Sequence, residues 1–409
     1  MTESTTAAIP TRQADRIGEI DIIRGLALFG VLWMNLNSNA EFAVPPQVLA
    51  ALPTAGLDRW IGLVGDWLAQ GKAQCLFSIL FGFGFAILSH RAEARGVDGH
   101  ALYLRRVLIL LVIGLAHLFL LWMGDILHAY ALMGLALMLT RRWPSRLLLI
   151  LGLVLALGAL TTAIAWYVAV TPRGSPPDFV ALQAAGTARR WPIFMGQDYS
   201  ALVRELWIAN GREFYLTAIG PAFLATILGR FMLGSWLFRQ GWMQDTARYA
   251  DAFRRVAPWL LVIGLGLAAV TPGIELAGLR LPRWSQIPRT LADEASQLVL
   301  ALGYAAGIVV LCQTTVWRRL LSGLGAAGQM ALTNYLTQSL VFVFVLYGLG
   351  LGWLKYAGPT FCLALALVVY AVQIVISRWW LARFRFGPAE WLWRSATYGR
   401  WQPLLRAED

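Results

Sequence analysis

Residues 103–140 read YLRRVLILLVIGLAHLFLLWMGDILHAYALMGLALMLT. After the Arg105–Arg106 pair, two apolar runs follow one another, 103–122 and 124–140, broken only by a tip at Gly124–Asp125. Each is close to the roughly 20 residues that carry a helix across a hydrocarbon core of about 30 Å. One such run could hide in a soluble core. Two in tandem, joined by a two-residue tip, read as a transmembrane helical hairpin.

The same pattern extends in both directions. Apolar spans are predicted at 20–37, 73–89, 103–122, 124–140, 147–170, 214–238, 257–270, 296–316, 325–348 and 356–376. The chain has 409 residues, 58% apolar and 14% charged, against roughly 25% charged in a soluble domain. The fold class is therefore all-α: a polytopic transmembrane helical bundle of about ten spans, in contact with lipid. The organisation predicted is a cytoplasmic tail (1–19), a first bundle (20–170), a periplasmic loop or cap (171–213), a second bundle (214–380) and an interfacial tail (381–409). The tail FGPAEWLWRSATYG alternates aromatics with Arg394, as an interfacial helix does. No cleavable signal pattern precedes the first span, so it is expected to stay as an anchor.

Net charge is +12, but the arginines are scattered over short loops and form no nucleic-acid reader motif. They set orientation instead. With the N-terminus inside, the inner segments carry about twice as many Arg and Lys residues as the outer ones, through Arg91, Arg141, Arg142, Arg146, Arg254, Arg255, Arg318, Arg319 and the tail. An even span count with both termini cytoplasmic fits best. The apolar stretch 57–70 contains Asp66. Counted as a span it would reverse the bias, so it reads as an interfacial or re-entrant helix on the outer face. No internal repeat appears, which weighs against an inverted-repeat transporter. Cys75, Cys312 and Cys362 lie far apart without metal-ligand spacing. No metal site, Walker loop, Rossmann glycine pattern or nucleophile elbow is present.

Ionisable groups within spans are costly and mark candidate sites. Asp21 and Arg24 share one face of span one, as a local ion pair or as part of a site. Asn35 and Asn37 close that helix; Asn35 points into a cavity or caps. His117 and Asp125 meet across the hairpin tip, with His128 one turn on. An Asp–His contact fixes a tautomer and raises basicity, as a general base requires; Asp125 as a helix cap is the structural alternative. In GQMALTNYLTQSL (328–340), Asn334 and Gln338 share a face, and Tyr335 and Ser339 the adjacent one. They join helices or bind substrate. Arg230 is a lone intramembrane cation that needs an anion: Asp21, or a bound phosphate or carboxylate.

The segments IDIIRGLALFGVLWMN, LFSILFGFGFAI, GLAH…GDILHAYALMGL, ILGRFMLGSWLFRQG, GQMALTNYLTQS and FGPAEWLWRSATYG together resemble the YeiB-like family of bacterial inner-membrane proteins, domain-of-unknown-function family 418. The resemblance runs over nearly the whole chain, and it implies a multi-pass location in the bacterial inner membrane. The family's first half is similar to a superfamily of transmembrane acyltransferases, which includes the acyltransferase-3 and heparan glucosaminide acetyltransferase families. These pass an acyl group from cytoplasmic coenzyme A to an acceptor sugar on the far side. The resemblance implies an acyl-coenzyme A donor as a partner rather than a bound cofactor, an envelope acceptor, and Asp21, Arg24 and Asn35 in a shared N-terminal motif. His117 and Asp125 match the YeiB-like pattern; His128 falls where the motif specifies no residue. The heparan-type enzymes carry a His shortly after the Asn that ends the first helix, and here LNSNAEFAVPPQ has none. The base then falls to His117, with Arg105 and Arg106 on the donor side and Arg230, Asn334 and Gln338 as further binding residues. A transporter or flippase of a small metabolite or lipid is the competing reading, with the same polar residues lining a path.

The orientation is directly testable: reporter fusions at residue 1 and residue 409 are expected to read cytoplasmic, and one inserted near residue 200 periplasmic. Opposite signals from the two termini would refute the even span count.

Overall fold

The computed structural model describes residues 18–94, 99–171 and 179–406. Most of the expected 1–19 tail, Arg95, and the Pro- and Gly-containing start of the 171–213 loop fall outside them. In lipid every backbone N–H and C=O must be satisfied within the protein, which favours helices. Nineteen α-helices follow one another among the described residues. They are α1 Gly18–Ala43, α2 Pro46–Ala50, α3 Ala55–Leu68, α4 Lys72–Ala94, α5 Gly99–Leu120, α6 Leu127–Leu139 and α7 Ser145–Ala156. Next come α8 Ala159–Val170, α9 Phe179–Phe194, α10 Tyr199–Ile208, α11 Ile219–Gln240, α12 Ala250–Ala268 and α13 Val270–Leu276. The last are α14 Gln286–Leu311, α15 Thr315–Leu320, α16 Ser322–Gln329, α17 Ala331–Val341, α18 Pro359–Arg383 and α19 Pro388–Tyr398. Two π-helical stretches, Ala209–Tyr215 and Phe342–Leu346, follow α10 and α17. Strand pairing among the described residues is confined to an isolated Phe384–Leu405 bridge.

Seven helical segments among the described residues are long and apolar enough to cross a membrane, or eight if the bent α16–α17 pair is one span. Ten were expected. The difference lies in spans one and four, which are present as α1 and α6. The α6 helix has 13 residues, roughly 20 Å of helix, too short to cross alone. It is held by α5, where Gly114 lets the helices touch: a Cβ there would lie 2.3 Å from the His128 nitrogen. The α1 helix is 26 residues long and occupies the middle of the bundle, where Ile23, Leu28, Leu32 and Leu36 are buried. Outer helices present apolar faces instead: Val112, Trp259 and Val375 are each about two-thirds exposed (68%, 68% and 67%), as lipid-facing residues are.

The stretch 57–70 forms α3 and runs on into α4. Together they count as one 40-residue apolar segment, Ala55–Ala94, with a turn between the two helices at Gly71, whose φ is +73°. Span seven, expected short, spans 27 residues as Ala250–Leu276. From residue 179 on, the described part of the 171–213 loop forms a helical cap of α9, α10 and the first π-helix. Arg189 binds Glu205 at 2.7 Å and Glu213, and Arg190 pairs with both of these glutamates. Arg190 and Thr187 also donate to the Phe42 carbonyl at 3.0 and 3.2 Å, fastening the cap to the end of α1.

Small residues set the close crossings. Where α1 meets α16, a Cβ on Gly25 would lie 2.0 Å from the Leu324 oxygen, and one on Gly328 the same distance from the Asp21 oxygen. Between α16 and α17 the chain bends by 83°. Gly25→Val is expected to lower stability by about 1–3 kcal/mol or more through overpacking, read as a lower unfolding temperature in detergent. Gly266→Ala, with open space around the added carbon, is expected to be neutral or stabilising by up to ~1 kcal/mol. Equal effects of the two substitutions would refute the close-crossing account.

Candidate functional site

A cavity of about 790 Å³ runs between α1, α4, α5, α11, α14 and the α16–α17 break. One end is basic: Arg24 from α1, Arg91 from α4, Arg106 from α5 and Arg394 from α19 line it. The middle is apolar, with Leu28, Phe77, Phe81 and Leu110 in its walls. The far part is polar, lined by Asn35, Gln74, Arg230, Glu294 and Gln297.

The basic end is organised by α19. Trp393 stacks under the Arg106 guanidinium at 3.9 Å. Glu390 accepts from the Leu332 and Thr333 amides at 2.7 and 3.1 Å and from the Thr333 hydroxyl at 2.6 Å, so it closes the first turn of α17 where the chain bends. A carboxylate is favoured at a helix N-terminus; burial nevertheless pushes its pKa up, while these hydrogen bonds hold it down. Arg24 pairs with Asp21 at 2.8 Å. Arg105 points away from the cavity toward the Thr397 carbonyl.

At the polar part, Arg230 is fully enclosed and finds its anion in Glu294, at 3.0 Å. Neither Asp21 nor a bound ligand is needed. The amide oxygens of Gln74 and Gln297 also accept from Arg230, and the Gln74 amide nitrogen has no partner among the described residues. Glu294 escaped the sequence reading because the apolar run there starts at Ser296, whereas α14 begins at Gln286. Its acidic turn faces the interior, so the helix extends beyond its apolar stretch.

The hairpin tip holds a second polar group. His117 Nδ1 lies 2.8 Å from one Asp125 oxygen, and His128 Nδ1 lies 2.7 Å from the other. The His128 amide also donates to Asp125 at 2.9 Å, so the carboxylate both starts α6 and orients two imidazoles. His117 Nε2 reaches Ser339 Oγ at 2.7 Å, and His128 Nε2 bonds the Tyr215 hydroxyl. Tyr335 donates to Asp125 at 3.4 Å and accepts from the Ile126 amide at 3.2 Å. His117, Asp125, His128 and Ser339 are all buried. They sit one side-chain layer behind the cavity wall, which Gly124, Ile126 and Tyr335 form.

Apart from Asp21, which pairs with Arg24, and Arg105, which turns to the Thr397 carbonyl, the sequence-derived residues divide into three groups. Arg24, Asn35, Arg106 and Arg230 line the cavity; His117 and Asp125 stand behind its wall. Asn334 and Gln338 turn the other way, toward α18: Asn334 donates to Ser377 at 3.1 Å and Gln338 to Gln373 at 2.9 Å, as interhelical polar contacts do. Sequence reasoning missed Gln74, Glu294, Gln297 and Tyr215. It ranked His128 low, although the structure gives it the same Asp125 contact as His117. Ser339 was flagged beside Tyr335; their four-residue spacing on one helical face was the available signal. Among the described residues no group of three or more His, Cys, Asp or Glu side chains is placed to hold a metal ion.

Comparison with known proteins agrees with this architecture's sequence signature. A family model described as "Protein of unknown function (DUF418)" matches residues 237–400. YxaH of Bacillus subtilis is 32% identical, over 97% of this chain and 98% of its own. YeiB of Escherichia coli is 30% identical, over 92% of this chain and 95% of its own. A 39.9 kDa protein of Bacillus acidopullulyticus is 26% identical, over 98% of this chain and 99% of its own. No solved structure matches the chain. With two relatives at or above 30% identity along nearly their full lengths, the chain belongs to the YeiB- and YxaH-containing family of multi-helical, membrane-type proteins.

Proposed function

We propose that this protein is an inner-membrane acyltransferase. It takes an acyl group from a cytoplasmic acyl-coenzyme A and passes it to an envelope glycan, lipid or small acceptor. The observation that carries the reading is the single cavity joining a basic end to a polar far end. In this reading the donor phosphates rest on Arg24 and Arg106, since guanidinium groups suit phosphate oxygens. The slender pantetheine arm lies along the apolar middle. The acceptor sits among Gln74, Arg230, Glu294 and Gln297, and binding both partners in one enclosure removes much of the entropic barrier. His117, held in one tautomer by Asp125, serves as the base, with the Tyr335 ring, whose hydroxyl donates to Asp125, between it and the cavity. Asn35 on the same wall is the candidate oxyanion donor.

One observation favours transport instead: the 83° break between α16 and α17 lies beside the cavity, and broken helices line transporter sites. Solute uptake by proteoliposomes without consumption of acyl-coenzyme A would support that reading.

The purified protein is expected to gain thermal stability with rising coenzyme A, as binding to the folded state alone requires. Arg106→Gln is expected to weaken that binding about 10-fold or more, the loss of a charge-assisted hydrogen bond of roughly 1.5–3 kcal/mol. No stabilisation, or equal stabilisation of both proteins, would refute the donor site. In cells, His117→Ala is expected to abolish acyl modification of the acceptor at normal protein levels; unchanged modification would remove His117 from the mechanism.

A further inference from the structure

We propose that Ser339 is an acyl-carrying nucleophile, so that transfer proceeds through a covalent acyl-serine. This rests on the acyltransferase reading above. The geometry that carries it is a serine–histidine–aspartate array assembled from three helices or their junctions. Ser339 Oγ lies 2.7 Å from His117 Nε2, and His117 Nδ1 lies 2.8 Å from Asp125 Oδ1. Asp125 fixes the Nδ1–H tautomer, which leaves Nε2 free to accept the serine proton. That order of contacts is the one by which activated serines are recognised on unrelated folds.

Two features set this array apart from a simple polar bridge between helices. First, Asp125 is held by more donors than a bridge needs: the His128 amide at 2.9 Å, the His128 ring at 2.7 Å and the Tyr335 hydroxyl at 3.4 Å. These donors hold the carboxylate in place, as an orienting group requires. Second, Ser339 lies on a helix interrupted on both sides, by the 83° bend before α17 and by the Phe342–Leu346 π-helix after it. Such π-helical segments are frequent at functional sites.

Ser339 is fully enclosed. Tyr335, one helical turn earlier on the same face, forms the cavity wall in front of it. On this proposal the Tyr335 ring must move aside to admit the thioester, and the enclosure around Ser339 would keep water from the ester.

The steps balance without a further reactant. Ser339 Oγ gives its proton to His117 Nε2 and bonds to the thioester carbonyl carbon. The carbon–sulfur bond breaks, and the thiolate takes the proton from His117 to leave as free coenzyme A. In the second half, the acceptor hydroxyl or amine gives a proton to His117 and attacks the acyl-serine. The ester bond to Ser339 breaks, and its oxygen recovers the proton.

The first half needs no acceptor, so it can be tested with acetyl-coenzyme A alone. The full-length protein in detergent is incubated with this donor, digested, and the peptide containing Ser339 is weighed. An acetyl group on Ser339 is expected in the wild type and absent in Ser339→Ala. His117→Ala is expected to lower the acetylated fraction about 10²-fold or more. Ser339→Cys is expected to keep an adduct, now a thioester. Thermal melting of each variant separates loss of chemistry from loss of fold. A wild type stabilised by coenzyme A but unacetylated at Ser339 overturns the nucleophile and leaves the acyltransferase reading standing. So does Ser339→Ala that still modifies the acceptor. A wild type with neither stabilisation nor adduct overturns both.

Discussion

The Asp125 carboxylate is the constraint on which this part of the molecule depends. A charge of this kind, enclosed within a membrane bundle, is tolerated only when other groups surround it. Here the surrounding groups come from distant parts of the chain: His117 at the end of α5, His128 at the start of α6, Tyr335 on α17. Through His128 the set extends to Tyr215 at the edge of the cap. The carboxylate thereby fixes where the hairpin tip stands against the broken α16–α17 pair. Removing one partner leaves a polar group in a place without water, which costs more than the contact itself contributes.

Around this anchor the bundle divides its work by depth. Small residues let α1 and α16 touch, so α16 packs against α1 close to Asp21. Glu390 then caps α17 from α19, and Trp393 holds Arg106 beside it. The result is a cavity with a cationic end, an apolar middle and a neutral polar end where Arg230 and Glu294 balance each other. On the proposed reading, the cationic end takes the anionic head of a long donor and the apolar middle its slim body.

Much of this was legible in the sequence. The 103–140 hairpin, the all-α class and the contact between His117 and Asp125 follow from apolar run lengths and from two polar residues facing each other across a short tip. The helices at 179–208 fall in the segment read as a loop or cap. What was not legible depends on helix rotation and on contacts between distant residues. His117 and Ser339 are 222 positions apart, and no local pattern links them. Asn334 and Gln338 share a face, but which neighbour that face meets is decided by α18. Glu294 was hidden because an acidic turn ends an apolar run without ending the helix. Two of the ten expected spans are not among the long apolar helices: α1, 26 residues long, carries Glu19, Asp21 and Arg24, and α6 has only 13 residues.

The most direct measurement of the central claim is an electron cryo-microscopy structure of the protein with coenzyme A bound. The account predicts the phosphates against Arg24 and Arg106, with the thiol end reaching the wall formed by Tyr335 and Ile126. Coenzyme A density elsewhere on the molecule, or a cavity occupied by lipid alone at saturating coenzyme A, would contradict it.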